Sequence, residues 1–235
     1  MISLKDLRLY TTQSHACSYL PEQQAQTLFI DPEFKVDQAH NTRLSELGFR
    51  RSGSHVYRPN CKNCQQCVSY RVLVQKFIPG RRFSRVLRRN SDLIVTAVSN
   101  IADDEYFNLY HHYISARHGN GDMYPATREQ YASFLLNQCE GTTYFAIRCE
   151  GRLIGLMVSD LLENAASAVY TFFDPAEEKR SLGTFAILWQ IAEANRLGLE
   201  YLYLGYWIRD CQKMKYKIEY RPAEMLVRQR WVKLT

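Results

Sequence analysis

No stretch of this sequence approaches the ~18 consecutive apolar residues of a membrane-spanning helix, so no transmembrane segment and no membrane partner is expected. Its start, Met1 to Tyr10, lacks a basic region followed by an apolar core, so no secretory signal is expected either. The cysteines lack the second Cys-x-x-Cys pair of the usual zinc knuckles. There is no G-x-S-x-G, no H-E-x-x-H and no P-loop, which removes the common serine hydrolase, zinc protease and nucleotide triphosphatase readings. Between Leu47 and Ser91 there is no acidic residue at all, although eleven Lys and Arg stand there.

What is present is ordinary for a globular chain: 235 residues, 46% apolar and 23% charged, enough for one large domain or two small ones. Seven cysteines without a signal peptide point to reduced thiols or a metal in a cytoplasmic protein, not to a disulfide framework. The formal charge of +6 sits in the first half, because residues 121–235 are balanced. An acid-free basic stretch is a footprint for phosphate or simply a solvated face.

The pattern of elements is clearer after residue 100. Short strands are expected at Leu7–Thr11 and Thr27–Ile30, a helix from Pro32 to Leu47 stopped by Gly48, and a hairpin about Gly53-Ser54. A strand Val68–Phe77, a basic helix Arg81–Asn90 and a strand Asp92–Ser99 follow. Asp103 caps a helix to Arg117, and Thr127 with Gln130 forms a capping box for a helix to Cys139. Three strands, Thr143–Cys149, Leu153–Leu162 and Ala168–Asp174, lead into a helix Gly183–Leu197 and a central strand Leu199–Ile208. This order predicts an α+β fold, a mixed sheet flanked by helices in the layout of Gcn5-related acetyltransferases. The expected division is a cysteine-containing basic half-domain, 1–100, and a transferase domain, 101–235. Elements of similar length in the first half leave two related halves open.

Four features carry chemistry. Cys61-x-x-Cys64-x-x-Cys67 can converge on a zinc ion or an iron–sulfur cluster, with Cys17 or His15 as a fourth ligand, or can be a loop of reduced thiols. Arg180-Ser-Leu-Gly183 matches half of the pyrophosphate-binding turn of coenzyme-A acetyltransferases. Phe185 is too bulky for its last position, and Glu177 and Glu178 would repel a diphosphate. Arg117-His118 ends a helix before a glycine-containing loop. In Gly205 to Lys217, aromatic and cationic residues follow a central strand, where Tyr206 and Trp207 can stack and Lys213, Lys215 and Lys217 can meet an anion.

Together these pieces resemble a known family. The matching segments are His15-x-Cys17-Ser-Tyr-Leu-Pro21, Gly48-Phe-Arg-Arg-Ser-Gly53, Tyr57-Arg-Pro-x-Cys61-x-x-Cys64-x-x-Cys67 and Ser69-x-Arg71-Val. Arg117-His118, Ser181-Leu-Gly-Thr184, Tyr201 to Ile208 and Cys211-x-Lys213-Met-x-Tyr216-Lys217 match as well. The sequence looks like the bacterial aminoacyl-tRNA–protein transferases related to arginyltransferase, in the aspartate/glutamate leucyltransferase branch, from about Leu7 to Trp231. The resemblance implies transfer of leucine from leucyl-tRNA to the α-amine of proteins beginning with Asp or Glu, an N-end rule signal for degradation. It also implies an acetyltransferase-type fold.

That reaction needs no cofactor, because the donor is already an ester. The expected roles follow from its needs. Arg117 or Arg209 would meet the acceptor carboxylate, with His118 and Gly183 beside the substrate. Tyr206, Trp207, Lys213 and Tyr216 would surround the aminoacyl ester, and Asp174 would receive or orient the α-ammonium. Arg81, Arg82, Arg85, Arg88 and Arg89 would contact tRNA phosphates. Eukaryotic arginyltransferases carry a Cys-x-x-Cys pair where this chain reads Cys17-Ser-Tyr-Leu20, so Cys17, Cys61, Cys64 and Cys67 remain an open metal set. Rival readings are an arginyl-tRNA donor, a coenzyme-A-dependent N-acetyltransferase and a non-enzymatic RNA-binding module.

Overall fold

The computed structural model describes residues 7–119, 121, 123–137 and 139–234. The chain opens with strands β1 (Leu9–Thr11), β2 (His15–Ala16), β3 (Gln24–Ala25) and β4 (Thr27–Ile30), then helix α1 (Gln38–Glu46) and the hairpin of β5 (Arg50–Ser52) and β6 (His55–Pro59). β1, β4, β6 and β5 form an antiparallel sheet in that order, and β2 pairs with β3. Leu44 of α1 and Phe49 pack on Leu28, Ile30 and Val56 of this small sheet. The helix expected from Pro32 starts later. Asp37 is its N-cap, and the Asp37 carboxylate accepts the His40 N–H at 2.8 Å, one of the backbone donors a helix start leaves orphaned. Gly48 ends the helix as expected, at φ +85°.

The rest of the chain builds one large sheet. Its elements are β7 (Val68–Leu73), α2 (Arg81–Arg89), β8 (Ile94–Val98), α3 (Asp104–Arg117), α4 (Arg128–Tyr131), β9 (Thr142–Cys149) and β10 (Arg152–Leu161). β11 (Ala165–Phe173), α5 (Leu182–Arg196), β12 (Tyr201–Trp207), β13 (Ala223–Val227) and β14 (Arg230–Leu234) complete it. The strand order is β14-β13-β7-β12-β11-β10-β9-β8. One face carries α3, whose Tyr106, Tyr110 and Ile114 meet Tyr144, Leu156 and Phe172. The other carries α5, whose Phe185, Leu188 and Ile191 meet Ile154, Met157 and Leu202. β10 is apolar on both sides because both of its faces are covered.

The meander β8 to β11, the crossover through α5 and the return of β12 beside β11 give the acyltransferase layout expected from the element order. The small sheet is antiparallel throughout and does not repeat that β–α–β return. The expected boundary near residue 100 falls between β8 and α3, and the large sheet draws strands from both sides of it. Several bounds differ from expectation. The strand from Val68 gives way after Leu73 to a 3-10 turn, Val74–Lys76. The helix capped by Thr127 continues from α4 as a π turn, Ala132–Leu136, and stops before Cys139. Asp103 is the N-cap of α3, but its side chain makes no capping bond. After β12 the chain forms a 3-10 helix, Lys215–Glu219, and β13 and β14 come in addition to the expected strands.

Candidate active site at the split of the large sheet

Every neighbouring pair in the large sheet is antiparallel except β11 and β12. These two run parallel and are matched only over Ala165↔Tyr201, Ala166↔Leu202 and Ser167↔Tyr203. Beyond that point β11 continues to Phe173 and β12 to Trp207 without pairing to each other. Both strands are irregular at the parting: β10–β11 shifts register after Val158, and β12–β7 shifts between Tyr203 and Gly205. The sheet therefore splits in its interior, and the unpaired backbone carbonyls on the two walls need other donors.

Two cations supply them. Arg50, reaching in from the small sheet, donates from Nη2 to the Ala168 carbonyl at 3.2 Å on the β11 wall. Lys217 donates from Nζ to the Tyr206 carbonyl at 2.7 Å on the β12 wall and lies 3.2 Å from the Met214 sulfur. Burial and the neighbouring Arg50 charge push the Lys217 ammonium down to about 7. Burial also lowers Arg50, and its Nη1 has no hydrogen-bond partner among the described residues. Sequence reasoning missed Arg50 as a site residue. It stands in the acid-free stretch, but its partner Ala168 is far along the chain.

At the open end of the split the expected residues gather. Arg117 and His118 come from the C-terminal end of α3, where Tyr113 packs 5.1 Å from the Phe173 ring and 5.2 Å from the His118 ring. The Arg117 guanidinium lies 5.5 Å from the Phe173 centroid, a cation–π contact. Gly183, in the first turn of α5, leaves room there, since a Cβ would stand 3.4 Å from Phe173 Cε1. Burial, then the charges of Lys213 and Arg117, hold the His118 imidazole below its ordinary range. Burial and the nearby Tyr113 raise the Tyr216 phenol, whose ring is 40% exposed. A cleft of ≈ 530 Å³ opens beside them, lined by Arg117, Phe173, Glu177, Ser181, Gly183 and Thr184.

Other expected residues are engaged elsewhere. Asp174 directly follows β11, but its carboxylate is held by Arg152 at 2.6 Å and by the Ala176 N–H at 2.9 Å, so it is not free to receive an ammonium. Tyr206 is buried and donates to the Gly48 carbonyl at 2.9 Å, joining the two sheets rather than facing substrate. Trp207 donates from Nε1 to the Lys215 carbonyl at 3.3 Å. Arg209 is exposed, with its guanidinium 6.0 Å from the Trp207 ring. Two objections to a bound anion at the α5 turn also change. Phe185 packs into the core, and Glu177 is neutralised by ion pairs to Arg152 and Arg180, while Glu178 stays exposed beside the cleft.

The α2 arginines form an exposed basic face. Arg81, Arg82, Arg85, Arg88 and Arg89 point outward while Phe83 and Val86 pack inward. Arg82 pairs with Glu219, and Arg89 donates to the Lys179 carbonyl, so this face continues to the rim of the cleft. The cysteines behave differently. Burial, then the thiols of Cys17, Cys61, Cys64 and Cys211, push Cys67 up to about 12. Yet among the described residues no three His, Cys, Asp or Glu side chains are arranged to hold a metal ion. Cys61 instead donates weakly to the Gln26 carbonyl, 3.7 Å away, and Cys67 packs with Tyr206, Ile208 and Cys211.

Comparison with known proteins agrees with this layout of parts. The family model described as arginine-tRNA-protein transferase, N terminus, matches residues 15–85, and the one described as arginine-tRNA-protein transferase, C terminus, matches residues 105–227. The aspartate/glutamate leucyltransferase of Pseudomonas fluorescens strain Pf0-1 is 54% identical over 234 residues, 100% of each chain. That of Pseudomonas entomophila strain L48 is 53% identical over 234 residues, again 100% of each. Among solved structures, FemX aligns with 89% of this chain and 82% of its own at 8% identity and a TM-score of 0.49. A conserved protein of unknown function from Bacteroides thetaiotaomicron VPI-5482 aligns with 69% of this chain and 60% of its own at 14% identity and a TM-score of 0.49.

Proposed function

The chain belongs to the arginine-tRNA-protein transferase family, and from that premise we propose that it transfers leucine from leucyl-tRNA to the α-amine of proteins beginning with Asp or Glu. The observation that carries the reading is its full-length similarity to aspartate/glutamate leucyltransferases. The product begins with Leu, a destabilising terminus in the N-end rule pathway. Charged tRNA is a cytoplasmic substrate, which supports a cytoplasmic reaction, and among the described residues no helix is long and apolar enough to cross a membrane.

In the transfer, the acceptor nitrogen attacks the ester carbonyl carbon. The C–N bond forms, the C–O bond to the terminal ribose breaks, and the ribose oxygen leaves as a hydroxyl. The α-ammonium must first lose a proton, and with a reference pKa near ~8 it needs only modest help. That proton goes to water, and His118, kept neutral near pH 7 by burial and two cations, is suited to take the second one as the amine nitrogen attacks. Arg117, Lys213 and Tyr216 ring the mouth and hold the 3′ end of the tRNA, while Gly183 gives the aminoacyl group room against Phe173. The exposed α2 arginines guide the acceptor stem toward this mouth. Holding ester and amine together is the main contribution asked of the protein. Because the donor is an activated ester, the reading requires no cofactor.

The test is a transfer assay with leucyl-tRNA and arginyl-tRNA in parallel, against peptides beginning with Asp, Glu or Ala. Leucine on the Asp and Glu peptides alone is the expected result. Arginine instead would keep the mechanism and change the donor, a second reading favoured by the family description. Transfer from neither would overturn the proposal.

A further inference from the structure

Among the described residues, the apex of the split holds two buried basic side chains, Arg50 and Lys217, and no anion paired with them. Arg51 is paired with Asp160, and Arg71 with Glu224, but neither Arg50 nor Lys217 makes an ion pair among the described residues. Asp160, the acid that acts on Arg50 from a distance, is already held by Arg51. The other titratable groups that face the pair are the phenols of Tyr57, Tyr203 and Tyr206 and the thiols of Cys67 and Cys211. Burial raises the first four of these, which keeps them uncharged. Two like charges removed from water repel, and each has lost solvation, so the pair is electrostatically incomplete.

We infer that Arg50 and Lys217 form the subsite for the side-chain carboxylate of the acceptor's first residue, an inference that rests on the aminoacyl-transfer reading. The unpartnered Arg50 Nη1 offers a donor to one carboxylate oxygen, and Lys217 Nζ, bonded to the β12 wall, stands beside Gly205 as the Arg50 guanidinium does. Both cations converge on Gly205: a Cβ there would stand 3.4 Å from Arg50 Nη2 and 3.5 Å from Lys217 Nζ. Tyr216, partly exposed at the mouth, has its ring centroid 5.9 Å from Lys217 Nζ. An Asp or Glu side chain entering beside that ring completes the charge balance. Its amide counterpart, Asn or Gln, has the same shape and leaves both cations unpaired, so discrimination comes from charge.

The test compares peptides beginning with Asp and Asn. With the unaltered protein, Asp is expected to exceed Asn by at least about a hundredfold in kcat/KM, as for a site built around buried polar groups. Arg50→Met and Lys217→Met should each lower that ratio by about tenfold or more, chiefly by raising KM for the Asp peptide, with leucyl-tRNA binding unchanged. Variants that bind leucyl-tRNA and keep the full ratio would overturn the inference. Both cations brace strand carbonyls, so a second measurement uses the unaltered protein. The Met214 methyl carbon, beside Lys217 Nζ, is followed by NMR during titration with each peptide. A saturating shift with Asp and none with Asn is expected, and no shift at saturating Asp peptide would overturn the inference. Failure of the unaltered protein to leucylate any peptide would instead sink the underlying reading.

Discussion

Arg51 grips Asp160 with two parallel hydrogen bonds, Nε to Oδ2 and Nη2 to Oδ1, each 2.7 Å long. The pair bolts the small sheet to the large one, because Arg51 lies on β5 and Asp160 on β10. Both side chains are almost wholly buried, at 4% and 2% exposure. Thr142 adds a third bond to the same carboxylate at 2.8 Å. Removing one partner leaves the other charged and unpaired in the interior. Arg51→Met or Asp160→Leu alone should cost about 3–5 kcal/mol of stability, and the double variant less than the sum of the two. Denaturant unfolding of the three variants checks this.

Lys217 gives stability a pH dependence of known sign. Its ammonium titrates near 7 when folded, against an ordinary 10.5 when unfolded. Between these values the unfolded chain holds the extra proton, so this residue opposes folding most at low pH and progressively less as pH rises. The stability difference between Lys217→Met and the unaltered protein should therefore shift against the variant from pH 7 to pH 9.5. A difference that stays flat over that range would show an ordinary, solvated lysine.

His118 as proton acceptor predicts a pH–rate profile with two slopes. The acceptor amine alone makes log kcat/KM fall with unit slope below about 8. Protonation of His118 adds a second unit below about 6.5, lower still because burial and the charges of Lys213 and Arg117 depress it. His118→Gln should slow transfer by about a hundredfold or more and remove only the second slope.

The α2 arginines should contribute unequally to tRNA binding. Arg81, Arg85 and Arg88 make no ion pair among the described residues, whereas Arg82 is already paired with Glu219. Removing one arginine–phosphate interaction should flatten the dependence of log binding constant on log salt by about 0.7–0.9. Gln substitutions at Arg81, Arg85 and Arg88 should show this, and Arg82→Gln less. An unchanged slope in all four would remove α2 from the tRNA path.

Local chemistry is legible in the sequence where it is local in the structure. Thr127 accepts the Gln130 N–H at 3.2 Å as its capping box implies, and Gly48 and Gly198 end helices with positive φ. The meander and the central place of β12 follow from apolar runs and turn residues. The start of α1 falls later than expected because Pro32 permits a helix start, while the decisive cap is Asp37. β13 and β14 escape a pattern search because Glu224, Arg230 and Lys233 break their apolar alternation, as is common in strands at or next to a sheet edge. At the site, Arg117, His118, Gly183, Lys213 and Tyr216 are legible from motifs. Arg50 is not, because its place opposite Ala168 is fixed by how two sheets meet, which no local pattern encodes.

The strand β5 is only Arg50–Ser52, yet its alternation sends consecutive arginines to different duties. Arg51 locks the two sheets, and Arg50 enters the split. A slip of one residue in the hairpin would put Arg51 into the split and Ser52 against Asp160. The fidelity of this short hairpin, held by the Gly53 turn against the Ser133 carbonyl, thus governs assembly and recognition at once. Neither can drift during evolution without the other.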